Sequence, residues 1–124
     1  METSNNVAEQ EVLAFVEDKS IELENVAPGM ARKIMSYDGR MMLVKVYFEK
    51  GGIGVLHNHY HTQITYIAKG TFEVEIDGKK QVLTVGDVFH VAPNLIHGVV
   101  CLEEGILIDV FSPMREDFVD VTKG

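Results

Sequence analysis

Apolar and polar residues alternate along most of this chain with a period of two. Over residues 41–48, Met42, Val44, Val46 and Phe48 share one side and Met41, Leu43, Lys45 and Tyr47 the other, which predicts a strand buried largely on both faces. Over residues 71–76, Phe72, Val74 and Ile76 oppose Glu73 and Glu75, the pattern of a strand with one wet side. Similar runs predict strands over residues 30–35, 64–69, 82–85, 88–91, 96–102 and 106–111. Turn residues separate them: Pro28-Gly29, Asp38-Gly39, Gly70, Gly86-Asp87, Pro93-Asn94 and Glu103-Glu104-Gly105. Asp77-Gly78 predicts a two-residue hairpin, because glycine tolerates the positive φ such a turn demands. Helical periodicity is scarce. Val12, Leu13, Phe15 and Val16, within residues 7–18, fit a short helix or an extended arm, and residues 1–6 read as a polar tail. Short strands at even spacing, without repeat or linker, predict an all-β sandwich or barrel.

The 124 residues suffice for one domain with a single core, and 46% hydrophobic with 24% charged residues is a globular composition. A formal charge of −8 speaks against nucleic acid or an anionic membrane surface as partner, so any anionic ligand must be met by local cations. The polar, acidic start and the absence of a long apolar run argue against a secretory signal or a membrane span. The lone cysteine, Cys101, excludes an internal disulfide and suits a reducing cytoplasm; it reads better as a small buried hydrophobe than as a nucleophile.

Candidate chemistry concentrates in residues 51–63, where His57, His59 and His61, three of the five histidines, fall in five positions. Alternate residues of an extended chain point to one side, so His57, His59 and Gln63 share a parity and can aim two imidazoles and an amide oxygen at one point. Such donors suit zinc, iron, nickel or manganese. A run of exposed surface histidines is the competing reading. The preceding Gly51, Gly52 and Gly54 form a turn before a strand rather than a phosphate cradle, since no helix pattern follows. A further donor, His97, follows the Pro93-Asn94 turn and can close the site from the opposite side of a barrel.

Gly51, His57, His59, Gln63 and Gly70 stand at the spacing of the first cupin motif, and Gly86, Pro93 and His97 resemble a short form of the second. The chain thus resembles the cupin family over roughly residues 41–111, which implies a double-stranded β-helix, a small jelly-roll barrel whose mouth holds one divalent metal ion. The corresponding organisation is an N-terminal arm and first strand over residues 1–36, the barrel over 37–118 and a C-terminal tail over 119–124. The family's usual glutamate is replaced by Gln63. The all-neutral ligand set leaves the full charge on the metal, which favours polarising a substrate oxygen over stabilising oxidised iron. His61 has inward parity too and reads as a substrate-contacting or rim group; His90 lies in a strand without motif support and reads as structural.

The strand over residues 106–111 is apolar on both faces apart from Asp109. A carboxylate there needs a salt bridge, a backbone bond or a task. Arg115 follows the turn Ser112-Pro113-Met114 and can either fold back over the barrel mouth, where its planar fork suits a substrate carboxylate, or pair at the surface with Glu116 or Asp117. Residues 109–118, with residues 57–63 and 93–98, resemble the branch of the cupins that linearises 4,5-unsaturated monouronates. That resemblance implies His57, His59, Gln63 and His97 as metal ligands, Asp109, Phe111 and Arg115 as active-site residues, an unsaturated uronate as substrate, and a homodimer to which an arm near residues 12–16 would contribute. Another cupin enzyme, a dioxygenase or a sugar isomerase, and a non-catalytic sugar-binding cupin are the competing function classes.

Overall fold

The computed structural model describes residues 12–119, which contain eight strands and two short 3-10 turns. The strands are β1 (Glu24–Ala27), β2 (Met30–Tyr37), β3 (Met42–Phe48), β4 (Ile53–His57), β5 (Thr62–Ile76), β6 (Lys79–Thr84), β7 (Val88–Val91) and β8 (His97–Ser112). All strand pairings are antiparallel. The tail expected over residues 1–6, the first part of residues 7–18 and all but the first residue of the tail expected after residue 118 lie outside the described residues.

Two long strands organise the barrel. The first half of β8 pairs with β4 and with the second half of β5, while its second half pairs with β3 and with the first half of β5. β6 extends one end of β5 and β7 the other. The connected sheet therefore folds over into two layers, β2-β3-β8-β5-β7 and β4-β8-β5-β6, in a small jelly roll. Between them lie Met42, Val44, Val46 and Phe48 of β3, Ile67, Phe72 and Val74 of β5, and Cys101, Leu107 and Phe111 of β8. Phe48 and Phe72 meet edge to face at 5.2 Å between ring centroids, an arrangement aromatic pairs favour. Cys101 is 1% exposed, which fits the reading of a small core side chain.

Two expected turns are instead bends inside long strands. β5 runs through Gly70 and β8 runs through Glu103-Glu104-Gly105 without interruption. The pairing register of β5 on β8 shifts between Ile67 and Phe72, and the inward side chains change from Gln63, Thr65 and Ile67 to Phe72 and Val74. Such bulges reverse facing without ending a strand. Gly70 has φ +86°, and a Cβ there would lie 2.5 Å from the carbonyl oxygens of both Glu103 and Glu104, so the two strands can bend together only over a glycine. At Asp77-Gly78 both residues adopt positive φ, 53° and 81°, as the expected hairpin requires. In β3 the even-numbered side is fully in the core, while Leu43, Lys45 and Tyr47 are half-buried and Met41 is exposed.

Candidate metal centre and pocket

β4 delivers His57 to the barrel mouth directly opposite His97 at the start of β8, the two being register partners with rings 4.4 Å apart. The loop after β4 carries His59, and the Pro93-Asn94 turn is tied to it: the Asn94 N–H donates to the His59 carbonyl at 2.7 Å. One ligand-capable nitrogen from each of His57, His59 and His97 can be chosen so that all lie within 4.8 Å of one another. Gln63, the inward residue at the start of β5, places its Oε1 3.1 Å from His59 Nε2.

The hydrogen bonds around these rings define their protonation. Nδ1 of His57 sits 2.8 Å from the Val55 carbonyl, Nδ1 of His59 3.2 Å from that of His61, and Nδ1 of His97 2.9 Å from that of Leu95. A carbonyl can only accept, so each Nδ1 carries a proton, and in the neutral ring that leaves Nε2 with a lone pair. Burial, with the Arg115 and His97 charges, pushes His59 down to about 4, and burial likewise lowers His97, so both rings are neutral near pH 7. Three imidazole lone pairs and one amide oxygen thus converge with no hydrogen between them, and His97 Nε2 is buried without a partner. The donor set fits a divalent cation, and the carbonyl bonds are the usual outer support of metal-binding histidines.

A cavity of about 310 Å³ opens beside this cluster, bordered by Asp109, Phe111, Arg115, Phe118 and Arg32. Asp109 and Thr65 are register partners on β8 and β5, and the Thr65 hydroxyl donates to Asp109 Oδ1 at 2.6 Å. Asp109 is half-buried on the cavity wall. Lost solvation pushes it up to about 6, against the Thr65 bond and the Arg115 charge, which both favour ionisation.

Arg115 takes up both placements open to it in the sequence. It is 8% exposed and borders the cavity, yet its Nε and Nη2 donate to the two carboxylate oxygens of Asp117 at 3.0 and 2.8 Å. Partial burial works to raise Asp117, and Arg115 outweighs it and holds that carboxyl below its ordinary value. The guanidinium stacks 4.2 Å from the Phe118 ring centroid, and Arg32 lies 4.1 Å from the same centroid. Arg32 is a pocket residue that pattern reading passed over; its signal was a cation between Met30 and Ile34 on one face of β2.

His61 does not join His57, His59 and His97. It is buried, bonds Glu116 through Nε2 at 2.9 Å and stacks on Tyr60, whose hydroxyl also donates to Glu116. Those bonds hold Glu116 below its usual value, first through Tyr60 and then His61, and tether the 3-10 turn Glu116–Phe118 that follows Arg115. His61, Glu116 and Asp117 are close enough to suggest a second cation site, but Glu116 and Asp117 are already engaged by hydrogen bonds within the protein. His90 faces outward and is exposed, across from Ile64.

The family model described as a cupin domain matches residues 44–111. The chain is 47% identical over 107 residues to the pectin degradation protein KdgF of Dickeya dadantii, covering 85% of this chain and 96% of that one. Among solved structures it superposes on KdgF from Halomonas sp. with a TM-score of 0.82 at 39% identity, covering 85% of this chain and 97% of the other. An RmlC-like cupin from Shewanella frigidimarina matches with a TM-score of 0.83 at 43% identity, over 86% and 96% of the respective chains.

Proposed function

Given that this chain belongs to the cupin family, we propose that it acts in pectin degradation as a metal-dependent enzyme that linearises 4,5-unsaturated monouronates to open-chain 4-deoxy-5-keto uronates. The single observation that carries the reading is the placement of Asp109 and Arg115 on one small cavity beside the three histidines and Gln63. Near-full-length similarity to KdgF supports the substrate class.

The substrate is a cyclic hemiacetal with a C4=C5 enol ether and a C6 carboxylate. Opening it removes the proton of the anomeric hydroxyl, breaks the C1–O5 bond and leaves an aldehyde at C1 and an enolate at C5. Asp109, poised near neutrality, is the base that takes the anomeric proton and then returns it to C4 as the enol ketonises, so the isomerisation is proton-neutral. Arg115 holds the carboxylate with the edge of its guanidinium that Asp117 leaves free, and Arg32 adds a second cation to the same wall. Phe111 packs on the sugar ring and keeps water from the reacting carbons. A divalent ion held by His57, His59, Gln63 and His97 would supply Lewis-acid polarisation of the ring oxygen and stabilise the developing enolate charge.

The cytoplasm is the compartment we assign, since Cys101 is a free, buried thiol. We further propose a homodimer: Val12, Leu13 and Phe15 of the arm are exposed, Phe15 at 91%, which leaves apolar surface for a second copy to cover. Proton NMR of an unsaturated galacturonate incubated with the protein tests the reaction. Loss of the vinyl C4 signal with growth of a C4 methylene, faster than in a protein-free control, supports it, and conversion no faster than that control rejects it.

A further inference from the structure

Between Gln63 and Asp109 stands Thr65, which is 0% exposed and linked to both. The Gln63 Nε2 donates to Thr65 Oγ1 at 2.9 Å, and Thr65 Oγ1 donates to Asp109 Oδ1 at 2.6 Å. These bonds have a direction that side-chain chemistry imposes. A threonine hydroxyl has one hydrogen, and an ionised carboxylate can only accept, so the hydrogen goes to Asp109. Thr65 must then accept from position 63, which turns the NH₂ end of the amide toward Thr65 and the oxygen toward His59 Nε2. The opposite amide orientation would leave Thr65 with two acceptors and one hydrogen.

We propose that Thr65 is a positioning residue for the metal centre: it makes Gln63 present its oxygen, rather than its NH₂, to the ion held with His57, His59 and His97. The same logic accounts for an amide at position 63 in place of the family's usual glutamate. A glutamate would put two carboxylates on one hydroxyl hydrogen, whereas the amide ligates through oxygen and supplies the missing hydrogen through nitrogen. The inference rests on the metal reading above and not on the identity of the substrate.

The test is Co²⁺ binding by the full chain after metal removal, followed by calorimetry and by the visible absorption of the bound ion, for wild type, Thr65→Val and Thr65→Ser. Valine keeps the shape and removes the hydroxyl; serine keeps the hydroxyl and removes the methyl. If Thr65 acts by positioning Gln63, Thr65→Val binds Co²⁺ roughly 10- to 100-fold more weakly with an altered spectrum, as loss of an outer support does elsewhere. Thr65→Ser then stays close to wild type in affinity and spectrum. A role in packing alone predicts the reverse order, with serine the damaging change. Val binding as tightly as wild type, or Ser binding as weakly as Val, overturns the proposal, and the serine arm holds even where valine fails to fold. No Co²⁺ binding by wild type would instead reject the metal reading on which the proposal rests.

Discussion

Asp109→Asn should make the metal-free protein more stable at neutral pH, and by an amount that depends on pH in a defined way. The carboxyl titrates at an ordinary value of 3.8 in the unfolded chain and at about 6 in the fold, because burial disfavours its charge. Between those values the folded state holds a proton that the unfolded state has released. Stability from this group is therefore present at low pH and lost as pH rises through about 6. A gap of about two pKa units, at about 1.4 kcal/mol each, puts the penalty at ~3 kcal/mol near pH 7 and at only a few tenths of that near pH 4. Asparagine has nearly the same shape and no charge to desolvate, so it escapes the penalty while giving up the base. Urea unfolding of both proteins, stripped of metal, from about pH 4 to pH 8 reads the difference between them and cancels other titrating groups. The variant's advantage should grow by about 2 kcal/mol across that range while uronate turnover is lost. A difference that stays flat with pH, or that increasingly favours the wild type, would refute the buried, functionally strained carboxylate.

Other outcomes follow from the same geometry. Arg115→Ala should lower kcat/KM for an unsaturated uronate roughly 10- to 100-fold, mainly through KM, since a charge-assisted bond to the carboxylate is lost; steady-state kinetics would show it. His97→Ala should bind Co²⁺ far more weakly than wild type in a calorimetric titration while keeping the fold by circular dichroism. Gly70→Ala should destabilise the barrel by more than about 3 kcal/mol in urea unfolding, because its methyl would meet two carbonyls in a positive-φ backbone. Phe15→Asp should shift light-scattering mass from dimer toward monomer without loss of fold.

The alternating pattern of the second half of β5 was legible because it presents one face to the core and the other toward solvent, and in β3 the even-numbered side was legible as core while the odd-numbered side is only half-buried. The long strands were not, since a bend over Gly70 or through Glu103-Glu104-Gly105 carries the same residues as a turn; only the facing partner strand distinguishes them. At the site, His57, His59 and Gln63 could be grouped by parity, and the structure does bring them beside His97. His61 shares that parity but follows the tether to Glu116, a contact between residues far apart in the chain. Thr65 was hidden for a similar reason. Its meaning lies in the register that sets it opposite Asp109, and a lone threonine in a β-strand carries no signal of its own. The double use of Arg115, on the cavity and on Asp117, needed the fold of the turn that carries both.

Metal-dependent ring opening can be followed by the ultraviolet absorbance of an unsaturated monogalacturonate with wild-type protein, with chelator-treated protein, and after readdition of a divalent ion, each corrected for spontaneous ring opening. Loss of absorbance should depend on the protein, disappear on metal removal and return with the ion. A rate equal to the spontaneous one, from folded protein with metal bound, would contradict the proposed reaction.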